Sequence, residues 1–207
     1  MNGSSRSAIW PWAGGVLTTL GIFLVQHYIG RQPTGTITDP LAYKGDLPDP
    51  SLMLEPEVVS ESPDTVAEML SLSTGIPSER LAPLVAEFML VTHDGAQVYG
   101  HNPVHVPAGA SWTGMWTMAP ESVLSSGSPR YQWSPIRAYP SLSVGVTDWV
   151  NSLPADLLAM LAEGDEAGAA TLIASAAQSG GASRVASHLL DAANRWRAGL
   201  VGNGATT

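Results

Sequence analysis

Val85-Ala86-Glu87-Phe88-Met89-Leu90-Val91-Thr92-His93-Asp94-Gly95-Ala96-Gln97-Val98-Tyr99-Gly100-His101-Asn102-Pro103 is the stretch from which the rest of the chain can be read. Its first half is apolar. Together with Leu81 and Leu84 just upstream, Val85, Phe88 and Met89 recur at i, i+3, i+4 spacing, the period of a helix. Pro83 must then lie in the first turn, because a proline further in would break the helix. The second half is punctuated by Gly95 and Gly100 and closes on Asn102-Pro103, a turn signal. The stretch predicts a buried helix feeding an irregular loop.

Outward from this helix, both flanks also read as mainly helical. Val66, Met69, Leu70 and Leu72 predict a short helix before it, and Ile76-Pro77-Ser78-Glu79-Arg80 a turn and helix start. Residues 95–140 are dense in Gly, Pro, Ser and Trp, the helical period disappears, and a small β-hairpin is expected between Trp112 and Tyr139. Helical patterns return over Leu142 to Leu153, Ala155 to Ala162, Glu166 to Ala177 and Arg184 to Leu200, with Gly164, Gly180 and Gly181 between them.

The N-terminal quarter is different. Ile9 to Ile29 holds no charged residue, with Trp10 and Trp12 at one end and His27 and Tyr28 at the other. Roughly 20 apolar residues span a bilayer core, and aromatic side chains favour its two interfaces. Gln26-His27-Tyr28 is bulky where a cleaved signal needs small residues, so the run reads as one uncleaved transmembrane anchor. A cleaved signal and a buried helix are the alternatives. Residues 30–63 carry Pro33, Pro40, Pro48, Pro50, Pro56 and Pro63, and read as a stiff linker or as an arm laid over the domain. The expected organisation is a tail at 1–8, an anchor at 9–29, a linker at 30–63, a domain at 64–200 and a flexible tail at 201–207.

Composition excludes some functions. The net charge is −9, and Lys44 is the one lysine, so the clustered cations that neutralise nucleic-acid phosphates are lacking. With no cysteine there is no disulfide, thiolate metal site or cysteine nucleophile. His93, His101 and His105 beside Asp94 match no zinc spacing, and no metal or other cofactor is expected.

Four segments beyond the opening one follow in a set order. They are Tyr99-Gly100-His101-Asn102-Pro103-Val104-His105-Val106, Gly109-Ala110-Ser111-Trp112-Thr113-Gly114, Arg137-Ala138-Tyr139-Pro140-Ser141-Leu142 running on through Gly145 to Asp148-Trp149, and Leu158-Ala159-Met160-Leu161-Ala162-Glu163-Gly164-Asp165. In order and spacing they resemble the lysozyme-like glucosaminidases, which cleave the glycan strands of bacterial cell walls. The resemblance spans about residues 75 to 197. It implies a lysozyme-like helical domain with a small hairpin, peptidoglycan as partner, and a site lined by Tyr99, Asn102, Trp112 and Tyr139. It also places the domain on the cell-wall side of the membrane, in a phage virion or an envelope complex where other proteins are partners.

Two departures change what the resemblance implies. The family's helix ends in a Glu-Thr-Gly type motif whose Glu is the general acid, and here Val91-Thr92-His93 stands there. The family's Gly-Tyr-x-Thr becomes Gly181-Ala182-Ser183-Arg184, which removes a site tyrosine. Glycoside cleavage needs a carboxylic acid to protonate the leaving oxygen. The carboxylates that could stand in are Glu87, one turn earlier, Asp94, directly after the motif, and Glu121 in the loop region. Three readings follow: a wall-binding domain with lost or weakened catalysis, a working hydrolase with a relocated acid, or a purely structural membrane or virion protein.

Overall fold

The structure is a computed structural model and describes residues 46–125, 128–177 and 182–204. Among these it is mainly helical, with two small antiparallel sheets. The helices are α1 (Pro63–Thr74), α2 (Ala82–Thr92), α3 (Leu142–Ser152), α4 (Ala155–Glu163), α5 (Glu166–Ala177) and α6 (Ala182–Gly204). One sheet pairs β1 (Val58–Val59) with β2 (Val98–Tyr99). The other is a hairpin of β3 (Trp116–Ser125) and β4 (Ser128–Arg137), in register from Trp116↔Arg137 to Ser125↔Ser128. It falls inside the window in which the sequence predicts one. The run from Ile9 to Ile29 lies outside the described residues. Among those described, no helix is long and apolar enough to cross a membrane.

Local rules account for the helix ends. Ser62 caps α1 by accepting from the Thr65 amide, Pro63 fills the first turn, and Gly75 leaves the helix at φ 71°. Val66, Ala67 and Leu70 of α1 are buried. Leu72 is 87% exposed, because two residues on from Leu70 the helix has turned it away from the core. Pro83 sits in the first turn of α2, as its geometry requires. Every residue of α2 is buried, which makes it the central helix. It packs against α6, α1 and α5, while α3 packs on α1. Trp149 of α3 belongs to this core. A smaller apolar cluster of Ala108, Trp116 and Met118 sits at the base of the hairpin, flanked by Leu52, Trp112 and Trp133.

The second half of the proline-rich segment lies along the domain. Pro48 is buried, and the Trp116 indole donates to the Asp49 carbonyl at 2.8 Å. The Leu54 amide donates to Trp116 O at 2.8 Å, and the Thr117 hydroxyl to Leu54 O at 3.1 Å. Further on, Gly100 N donates to Glu57 O, β1 pairs with β2, and Glu61 N donates to Gly95 O at 2.8 Å. Proline lacks an amide donor, so the arm docks through the residues between its prolines. At the other end α6 runs through Gly204, past the position 200 expected for the end of the domain.

Candidate functional site

Val91, the position at which the resemblance leads one to expect an acid, lies in the last turn of α2. That residue is 1% exposed. The helix ends one residue later at Thr92, which turns its hydroxyl back to Phe88 O at 2.7 Å and accepts from Gly95 N at 3.0 Å. His93 and Asp94 follow, each at φ 57°, in the left-handed region that non-glycine residues rarely occupy. The His93 imidazole is pushed below its ordinary pKa by burial, opposed by the negative charge of Asp94.

The three candidate carboxylates occupy three different settings. Glu87 is 3% exposed inside the central helix, and its Oε2 makes no hydrogen bond. Burial pushes its pKa up to about 8, so at neutral pH it holds its proton. Asp94 is exposed on the turn. Glu121 lies in β3 opposite Gln132, and its side chain is outside the described part.

The expected sugar-binding residues are mostly occupied with the fold. Asn102 is fully buried. Its Nδ2 donates to Val106 O and Arg137 O, both at 3.0 Å, and its Oδ1 accepts from Val106 N at 2.8 Å and Val104 N at 3.4 Å. Two donors and two acceptor positions are all that an amide side chain has. Asn102 therefore ties the loop to β4 instead of offering groups to a glycan. Asn102→Ala would orphan several buried backbone groups, and a loss of about 3 kcal/mol is expected in chemical denaturation. A cost under about 1 kcal/mol would show the loop stands without it.

Tyr99 is half-buried among aromatic rings, edge-on to His105 at 5.7 Å and to Trp133 at 6.4 Å, and burial raises its pKa. His105 is driven down to about 3, first by burial and then by nearby His93, so it is neutral across the physiological range. Trp112 donates its indole N–H to Met115 O at 2.8 Å, and one ring face is covered by the Arg137 guanidinium, 4.3 Å from the centroid. A Cβ on Gly114 would lie 2.6 Å from the same ring, so that glycine makes room for it. Tyr139 is buried and donates to Asp148 Oδ2 at 2.6 Å. Burial, reinforced by that bond, raises its pKa, which keeps it a donor.

Asp148 stands in the motif order, but sequence reasoning gives it no role. Arg137 Nη1 donates to its Oδ2 at 2.7 Å, beside the Tyr139 bond, so Trp112, Arg137, Tyr139 and Asp148 form one connected row. The available signal was the spacing Arg137-x-Tyr139 followed by Asp148, which reaches from the end of β4 to the second turn of α3. Asp148 lies with Ser143, Val144, Thr147 and Asn151 around a shallow depression of about 350 Å³ on the solvent side of α3.

The site thus holds one protonated carboxylic acid that is enclosed, one exposed carboxylate on a turn, and a carboxylate clamped between a cation and a phenol. No family model matches the chain, and none of the curated proteins matches it. Among solved structures it is similar to a peptidoglycan hydrolase mutant from Sphingomonas sp. A1, at 21% identity and a TM-score of 0.45 over 60% of this chain and 86% of that one. It is also similar to the glycoside hydrolase domain of FlgJ from Salmonella typhimurium, at 17% identity and a TM-score of 0.43 over 69% and 88% of the two chains. A C-terminally truncated form of that domain aligns at 19% identity with a TM-score of 0.40, over 65% and 92%.

Proposed function

We propose that this chain carries a lysozyme-like domain that meets the glycan strands of the bacterial wall without cleaving them. Ile9 to Ile29 holds it at a membrane, with the domain on the wall side, as part of a phage virion or an envelope complex. The observation that carries the reading is Val91. A buried valine stands where the motif order calls for the proton donor, and it can neither donate a proton nor hold a charge.

One observation favours the rival reading of a relocated acid. Glu87 is held in its neutral form, the form a general acid needs. Its place counts against it. A proton donor must come within hydrogen-bond reach of the glycosidic oxygen, and a side chain 3% exposed on a helix buried on every side offers no such approach.

Turbidity loss of purified walls tests the two readings. The native chain is expected to clear no faster than buffer. Val91→Glu is expected to gain measurable lysis, at the cost of a few kcal/mol for a carboxyl group in an apolar position. Lysis by the native chain that falls about 10²- to 10⁴-fold in Glu87→Gln, Asp94→Asn or Glu121→Gln would identify a working acid and overturn the proposal. If the native chain also fails to sediment with walls, the purely structural reading takes its place.

A further inference from the structure

We propose that the solvent face of α3 is a docking subsite for uncharged stretches of amino-sugar glycan. The proposal rests on the wall-binding reading and gives it a location away from the α2 terminus. Ser143, Thr147 and Asn151 recur at i, i+4, i+8, so they form one polar stripe along the helix. Val144, 44% exposed, adds an apolar contact beside them. Asp148 completes the depression and is set in place before any ligand arrives, because Arg137 and Tyr139 both bind its Oδ2. A group fixed in advance costs a ligand less ordering on binding. The carboxylate keeps acceptor capacity on its second oxygen.

The chemistry of this stripe selects among ligands. Thr147 gives its hydroxyl proton to Ser143 O and is left with acceptor lone pairs. Asn151 brings both an amide donor and a carbonyl acceptor. Sugar hydroxyls donate and accept, and an acetamido group pairs with an amide and covers a methyl. An anion would meet Asp148, while Arg137 is already committed to Asp148 and to the Trp112 ring. A metal ion would find a single carboxylate, short of the several oxygen ligands that hard cations take. The whole chain carries −9, so strands rich in stem-peptide carboxylates are repelled and bare saccharide is preferred.

The test uses the full chain in a detergent without a sugar headgroup. It is titrated by calorimetry with an N-acetylglucosamine tetramer, and sedimented with purified walls. Saturable binding of the tetramer is expected. Thr147→Val and Asn151→Ala should each weaken it about fivefold, the worth of one hydrogen bond. Both side chains face solvent, so unchanged thermal melting will certify the fold. Val144→Arg, which fills the depression without removing a polar partner, should abolish binding. Added salt should strengthen sedimentation with walls by screening repulsion, and leave tetramer binding unchanged. If the tetramer and walls bind equally well to all three variants, the glycan sits elsewhere. The subsite is then overturned while wall binding stands. If the native chain binds neither, wall binding fails and the subsite with it.

Discussion

Glu87→Gln is expected to stabilise the protein at neutral pH by several kcal/mol and to remove most of the pH dependence of its stability between pH 6.5 and 8, the window above the ordinary pKa of the buried His105, whose own contribution no longer changes there. The native carboxyl group holds its proton to about pH 8, against 4.5 for a free glutamate. Below the lower value both folded and unfolded chains are protonated there, and the residue's contribution to stability is fully present. As pH rises, the unfolded chain loses the proton and the folded chain keeps it. Unfolding then releases a proton, and stability falls by about 1.4 kcal/mol per pH unit until the folded chain ionises as well. The accumulated loss by pH 8 is on the order of 5 kcal/mol, a large share of the stability of a domain this size. Glutamine has no charge to acquire. Denaturation midpoints measured from pH 4 to 9 for both chains check this. A flat profile for the native protein between pH 6.5 and 8 would mean that Glu87 has found a partner or water.

The second large effect is expected at Gly95, where the arm is fastened to the loop after α2. The residue has φ +85°, and a Cβ there would lie 1.8 Å from the Glu61 carbonyl oxygen and 3.3 Å from the Phe88 ring. The obstruction is backbone, so no side-chain rotation relieves it. Gly95→Ala also carries the left-handed cost of about 1–2 kcal/mol. A loss of at least about 3 kcal/mol is expected, with the arm lifting away because Glu61 N is bonded to Gly95 O. Gly75→Ala supplies the control. Its φ is +71°, but a Cβ there meets nothing within 4 Å, so it should cost only the conformational strain. Proteolysis reads the difference: residues 46–62 should become cleavable in Gly95→Ala and stay protected in Gly75→Ala. Equal losses in the two variants would show that the arm contact is not holding the loop.

Much of the fold was legible because it rests on local chemistry. Ser62-Pro63 starts a helix, and Pro83 has to sit in a first turn whatever lies nearby. The hairpin could be placed between Trp112 and Tyr139 from the loss of helical period, but its registers could not be read. They depend on which residues of two strands meet. Val66, Met69, Leu70 and Leu72 all lie in the helix that their pattern predicts, while which of them are covered depends on the helices packed against it.

The candidate site was legible in identity and not in role. That a valine stands at position 91 is a fact of sequence. So are the positions of Asn102, Trp112 and Tyr139 in the motif order. Their tasks depend on partners far along the chain: Asn102 on Arg137, Trp112 on the Arg137 guanidinium, Tyr139 on Asp148. Spacing within one helix or turn acts through covalent geometry, so the sequence alone determined where α1 and α2 begin and that a valine stands in the last turn of α2. Desolvation and hydrogen-bond satisfaction depend on what other segments bring to the same place. Only the tertiary structure could therefore decide that Glu87 is enclosed and protonated, that Asn102 is fully spent, that the proline-rich arm docks, and that Asp148 is clamped at the edge of an open polar face.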